Sequence, residues 1–137
     1  MTGAAFAPVT TRTPRILVID DEPIVADTMA LLLCRFGYAA EGMTDPVAAL
    51  ERVRAAPNDV DLVLTDQTMP GITGDMLARR VNAVSPELPV VIMTGFSYRL
   101  SPETARECGV RAVLFKPIAP NDLRGAIDSA LSDSSKP

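Results

Sequence analysis

The chain has 137 residues, a net charge of −4, 47% apolar and 22% charged residues. That supports one domain with its own core, and the acidic balance speaks against a nucleic-acid-binding face. No apolar run reaches the roughly 20 residues needed to span a bilayer, and the first residues, MTGAAFAPVTTRTP, lack the pattern of a secretory signal. Cys34 and Cys108 fall in helical segments, where free thiols pack as small buried side chains, and a cytoplasmic setting fits them best. The chain contains no histidine, so it has no histidine base and cannot carry a phosphohistidine.

Residues 1–14 show no period and read as a flexible tail. The first strand is expected at 15–20, RILVID, whose unbroken apolar run suits a strand covered on both faces. Pro23 opens a helix, with Val25, Met29, Leu32 and Phe36 at helical spacing, and Gly37 stops it. A second strand follows near 38–43. Asp45 caps a helix that begins at Pro46 and runs to about Ala55.

The third strand is expected at 60–65, delivering Asp66 at its end. Beyond the Pro70–Gly71 turn, Thr73 is the expected cap of a helix presenting Leu77, Val81 and Val84. The fourth strand is 89–94, PVVIMT. Ser101, Pro102 and Glu103 open a short helix that Gly109 ends, and 110–115 make the fifth strand. A last helix carries Leu123, Ile127, Ala130 and Leu131, with Gly125 weakening it by up to ~1 kcal/mol. The domain is therefore expected over 15–131, with 132–137 as a second frayed end.

Strands alternating with helices of this length imply right-handed βαβ units and a parallel sheet. Ligands bind beyond the carboxyl ends of such strands. There the sequence delivers Asp20-Asp21-Glu22, Asp66, Thr94-Gly95 and Lys116-Pro117. Each alone reads as ordinary: a solvated acidic loop, a cap, a strand-end hydroxyl, a surface lysine. Their occurrence at four strand ends is what points to chemistry.

Carboxylates gathered in one place resist ionisation. A divalent cation and a lysine both relieve this. Mg²⁺ takes hard oxygen ligands and often only one or two carboxylates plus phosphate oxygens, which suits Asp20, Asp21 and Asp66. A carboxylate can be the nucleophile of a phosphoryl transfer, a reaction carried by positioning and charge neutralisation. Lys116 and the Thr94 hydroxyl supply the remaining donors.

The segments ILVIDDEP (16–23), DLVLTDQTMPGITG (61–74), VVIMTGFS (90–97) and FKPI (115–118) resemble the receiver domains of bacterial two-component response regulators. The resemblance spans about 15–131. It implies a doubly wound α/β fold, flavodoxin-like (βα)5, with five parallel strands in the order 2-1-3-4-5.

It further implies Asp66 as phosphoacceptor, Asp21 as a direct Mg²⁺ ligand, Asp20 as a ligand through water, and the backbone carbonyl of Thr68 as a third protein contact, with Mn²⁺ able to substitute. Thr94 becomes the switch hydroxyl and Lys116 the partner of the phosphoryl group, followed by Pro117 after a cis bond. Met69, Pro70 and Gly74 shape the loop after the acceptor.

The implied function is phosphorelay signalling. A sensor histidine kinase or phosphotransfer protein donates to Asp66, a protein-interaction surface switches, and slow self-catalysed hydrolysis resets it. The domain is then no enzyme beyond its own phosphotransfer and dephosphorylation, and it acts on a downstream protein rather than on nucleic acid or a membrane. Homodimerisation through the last two helices and strand stays open, as does the choice between a stand-alone receiver and one cut from a hybrid histidine kinase. Two positions depart from the family: Val113 stands where many receivers carry an aromatic reporter, and Gly95 follows Thr94 where Ala is common.

Three rivals are weaker. An aspartate-nucleophile phosphatase needs its nucleophile in a DxD-like loop after the first strand, and Asp20-Asp21 lacks that spacing. An FMN-binding module would place phosphate against the acidic DDEP loop, which repels it. A phosphorylation-independent docking module has no need of the complete residue set.

Overall fold

The computed structural model describes residues 13–95 and 101–133. Five strands alternate with five helices: β1 (Arg15–Ile19), α1 (Pro23–Arg35), β2 (Ala39–Met43), α2 (Pro46–Ala55), β3 (Leu62–Asp66), α3 (Gly74–Val84), β4 (Val90–Thr94), α4 (Pro102–Cys108), β5 (Val110–Phe115) and α5 (Pro120–Asp133). A 3-10 turn at Pro57–Asp59 leads into β3.

The strands form one parallel sheet in the expected order, β2-β1-β3-β4-β5. The central strands are buried from end to end, which explains their lack of polar alternation. Their side chains divide by parity. Leu17, Ile19, Val63, Val90 and Ile92 face α2, α3 and α4, where Leu50, Val53, Leu77, Ala78, Val81 and Cys108 meet them. Ile16, Val18, Leu62, Leu64, Val91 and Met93 face α1 and α5, packing on Ala30, Leu33, Leu123 and Ile127. Each fully buried Leu or Ile contributes about 1.5–3 kcal/mol by burial.

Several expectations shift. The buried stripe of α1 is Ala26, Ala30 and Leu33, with Met29, Leu32 and Phe36 only partly buried at its flank. The large side chains at helical spacing lie beside the contact line, because small residues let α1 approach the sheet. Cys34 is exposed rather than buried. It sits next to the stripe, with its thiol toward the Ala40 carbonyl (3.6 Å).

β3 begins at Leu62 and takes in Asp66 as its last residue. Asp61 is diverted beforehand: its carboxylate accepts from the Arg15 amide (2.8 Å) and its own amide donates to the Arg15 carbonyl (2.8 Å). α5 runs to Asp133, past the Leu131 expected to close the domain. Of the two tails, residues 1–12 and 134–137 lie outside the described residues.

The helix punctuation follows the sequence elsewhere. Asp45 accepts from the Val47 amide and Ser101 Oγ from the Thr104 amide, while Gly37 (φ 103°) and Gly109 (φ 80°) end α1 and α4 in the left-handed region. The Lys116–Pro117 bond is cis, as expected.

Among the described residues, no helix is long and apolar enough to cross a membrane.

Candidate functional site

The carboxyl ends of β1, β3 and β5 converge. Hydrophobic burial fixes each strand along its length, so the side chain at its last residue or just after it is delivered at the rim with little freedom. Asp20 follows β1 and is 1% exposed. Its amide is held by the Met43 carbonyl at the end of β2 (3.1 Å), and its Oδ1 accepts from the Glu22 amide (3.0 Å). Asp66 ends β3, 7% exposed. Lys116 follows β5, and its amide donates to the Thr94 carbonyl (2.7 Å).

Lys116 Nζ lies 2.9 Å from Asp66 Oδ1 and 3.6 Å from Asp20 Oδ2. The carboxylates of Asp20, Asp21 and Asp66 bring ligand atoms within 4.8 Å of one another, with Asp21 open to solvent. Thr94 is buried at the end of β4, one residue past Met93, the cross-strand partner of Asp66. Thr68 is exposed in the loop two residues beyond the acceptor. Asp20, Asp21, Asp66 and Lys116 are thus brought into one cluster, with Thr94 and Thr68 on the elements that border it.

The electrostatics follow from this crowding. Burial pushes the Asp20 carboxyl above its ordinary value; the Glu22 amide and Lys116 pull it back in part, and Asp66 adds to the rise. Burial disfavours the Lys116 ammonium, but the hydrogen bond and charge of Asp66, with Asp20, outweigh it, and its pKa is raised.

Asp20 Oδ2 is buried without a hydrogen-bond partner, a condition that ordinarily costs about 1–3 kcal/mol. An orphaned carboxylate oxygen beside two other carboxylates is the donor set a hard divalent cation takes. The residues present therefore fit Mg²⁺.

The loop after Asp66 is fixed by contact with the start of α3. A Cβ at Gly74 would lie 2.5 Å from the Asp66 carbonyl oxygen and 3.0 Å from Gln67 Cα, so only glycine lets the helix come this close. Met69 is buried in the core beneath the loop. Thr73 sits at the N-cap position but makes no capping bond; its hydroxyl goes to Asp75 Oδ1. The cap comes from Gln67, whose Oε1 accepts from the Asp75 amide (2.9 Å). Sequence reasoning missed this, because a cap supplied from seven residues upstream of the helix leaves no local signature.

The two departures are also visible. Val113 is partly buried against the core. Phe115, half-exposed, is the direct cross-strand partner of Thr94.

The family model for the response regulator receiver domain matches residues 16–128. The chain is 36% identical over 121 residues to the 3',5'-cyclic-nucleotide phosphodiesterase regA of Dictyostelium discoideum, covering 85% of this chain and 15% of that protein. It is 30% identical over 113 residues to the transcriptional regulatory protein AruR of Pseudomonas aeruginosa, covering 80% of this chain and 46% of that protein. The match to the sensor histidine kinase RcsC of Salmonella typhi is 33% over 109 residues, 80% of this chain and 11% of that protein. The chain thus spans less than half the length of each of these relatives. Among solved structures, a response regulator receiver domain protein from Clostridium thermocellum superposes with a TM-score of 0.82 at 29% identity, covering 88% of this chain and 95% of that one.

Proposed function

This chain belongs to the response regulator receiver domain family, and from that premise we propose that it is a Mg²⁺-dependent phosphorylation switch with Asp66 as the phosphoacceptor. It is a receiver domain of two-component signalling; the residue roles below are our reading.

The observation that carries this reading is the 2.9 Å contact of Lys116 Nζ with Asp66 Oδ1, beside the orphaned Asp20 Oδ2. An Asp66 oxygen attacks the phosphorus of the donor's phosphohistidine, the P–N bond breaks, and the imidazole leaves with that electron pair. Because the chain has no histidine, the donor is a separate group, on a histidine kinase or phosphotransfer protein. Lys116 holds the acceptor in place and then faces the added negative charge. Asp20, Asp21 and the Thr68 carbonyl would hold Mg²⁺, which when bound neutralises charge on the phosphoryl oxygens.

Thr94 supplies a hydroxyl from the neighbouring strand. Its movement toward the phosphoryl group is the differential contact that shifts the population between two surfaces. Attack of water on the acyl phosphate releases inorganic phosphate and restores the carboxylate. We place the switch in the cytoplasm.

The test uses acetyl phosphate as a small-molecule donor. With Mg²⁺, intact mass should show one added phosphoryl group on the wild type and none on Asp66→Asn. An unmodified wild type that also fails to take up beryllofluoride overturns the reading.

A further inference from the structure

We propose that Gln67 is a positioning residue for the phosphoryl-transfer site: it clamps the backbone between the acceptor Asp66 and the metal-facing Thr68 to the first turn of α3. This rests on the reading of Asp66 and Thr68 given above.

Gln67 is a buried primary amide, 5% exposed, between buried Asp66 and exposed Thr68. Burying such a group costs free energy unless its polar atoms are matched, and here all of them are. Its backbone amide donates to the Met93 carbonyl (2.9 Å), and its carbonyl accepts from the Gly74 amide (2.9 Å). Its side-chain Oε1 accepts from the Asp75 amide (2.9 Å), and its Nε2 donates to Asp75 Oδ1 (3.1 Å).

The residue next to the acceptor therefore takes two successive N–H groups at the start of α3, one through its carbonyl and one through its side chain. Asp75 Oδ1 gathers Gln67 Nε2, the Thr73 hydroxyl and the Met76 amide (2.9 Å), so the clamp is anchored on the helix side as well. The bare face of Gly74 against the Asp66 carbonyl and Gln67 Cα brings the two backbones into contact at the same place.

Thr68 is the exposed residue that follows. Its backbone orientation is inherited from Gln67 on one side and from buried Met69 on the other. A carbonyl that must meet a cation requires such support, and loss of an outer-shell partner typically weakens metal binding 10–100-fold.

A simple cap for α3 would use the same Oε1 bond without affecting the metal, and the test separates the two. Mg²⁺ binding to chelator-treated protein is measured by titration calorimetry for the wild type, Gln67→Met, Asp75→Ala and the double variant. Amide exchange at Asp75, whose N–H the Gln67 side chain holds, is followed in the metal-free proteins. Each single variant should weaken Mg²⁺ binding by about tenfold, Gln67→Met should speed exchange at the Asp75 amide because it removes the Oε1 acceptor, and the double variant should be no weaker than the weaker single. Val81→Ala, a cavity in the buried face of the same helix, should lower the melting temperature and leave Mg²⁺ affinity unchanged. If Gln67→Met does not fold, Asp75→Ala removes the Nε2–Oδ1 half of the contact from the more open side and leaves the Oε1 bond to the residue 75 amide in place, and its Mg²⁺ affinity carries the test.

Faster exchange at Asp75 with unchanged Mg²⁺ affinity reduces Gln67 to a cap and overturns the inference alone. A wild type that neither binds Mg²⁺ nor becomes phosphorylated at Asp66 overturns the reading beneath it.

Discussion

Replacing Asp20 with Asn should stabilise the metal-free protein and destroy its response to Mg²⁺. Asp20 is buried, its Oδ2 has no hydrogen-bond partner, and its carboxyl titrates above the ordinary value because of burial first and Asp66 second. A group whose folded pKa is raised contributes stability below its unfolded pKa and loses it as pH rises through the folded value. At neutral pH the wild type therefore bears the cost of an ionised, partly unsatisfied carboxylate.

Asn keeps an oxygen for the Glu22 amide and replaces the orphaned acceptor with an uncharged NH2 group, 3.6 Å from Lys116 Nζ. The unsatisfied acceptor is worth about 1–3 kcal/mol. The lost Lys116 contact subtracts little, since it is 3.6 Å long, reaches a lysine that is 36% exposed, and leaves the 2.9 Å Asp66 contact intact. A net gain of about 1 kcal/mol raises the melting temperature by roughly 4 °C for a domain of this size.

The assay is thermal unfolding in EDTA and in excess Mg²⁺, at neutral pH and near pH 4. In EDTA at neutral pH the variant should melt higher, and the gap should close in acid as Asp20 becomes protonated in the wild type. In Mg²⁺ the order should reverse, because a ligand at 100 times its Kd adds about 2.7 kcal/mol to the wild type alone. A variant that melts lower in EDTA at neutral pH would refute the reasoning, since the Lys116 pair would then outweigh the orphaned oxygen.

Three further outcomes are expected. Lys116→Met should slow phosphorylation by acetyl phosphate by about 10²–10³-fold, the usual effect of losing one preorganised donor, and should lower the melting temperature, because it leaves buried Asp66 without its 2.9 Å partner; timed intact-mass spectra measure the first and calorimetry the second. Gly74→Ala forces a Cβ against the Asp66 carbonyl oxygen and Gln67 Cα, and backbone on both sides cannot yield, so chemical denaturation should show a loss of about 1–3 kcal/mol together with slower phosphorylation. Thr94→Ala should still bind beryllofluoride with Mg²⁺ but lose the amide shift changes that the wild type shows beyond the site in ¹H–¹⁵N spectra; a full set of shifts in the variant would remove Thr94 from the switch.

The parallel sheet and its polar rim were legible because a strand buried on both faces is apolar along most of its length, and its run breaks off at the polar group it delivers. VVIMT and LVLTD announce both their burial and the group they deliver. What was not legible depends on distance through space. The contact face of α1 is set by Ala26 and Ala30, whose small size is the reason for close approach and which carry no strong hydrophobic signal. Cys34 lies one residue from buried Leu33, and a single helical step of about 100° separates core from solvent. The cap of α3 comes from Gln67, not from the Thr73 that local rules favour, because tertiary approach of the helix to the acceptor loop makes a remote amide the nearer acceptor.

The most direct test of the phosphoacceptor assignment is to trap the product where it forms. The wild type is treated with acetyl phosphate and Mg²⁺, reduced at once with borohydride, and mapped by peptide mass spectrometry. An acyl phosphate on Asp66 predicts homoserine at position 66, dependent on Mg²⁺ and on the donor, with every other aspartate unchanged. Homoserine at another carboxylate, or none at all from protein that has gained a phosphoryl group, would contradict it.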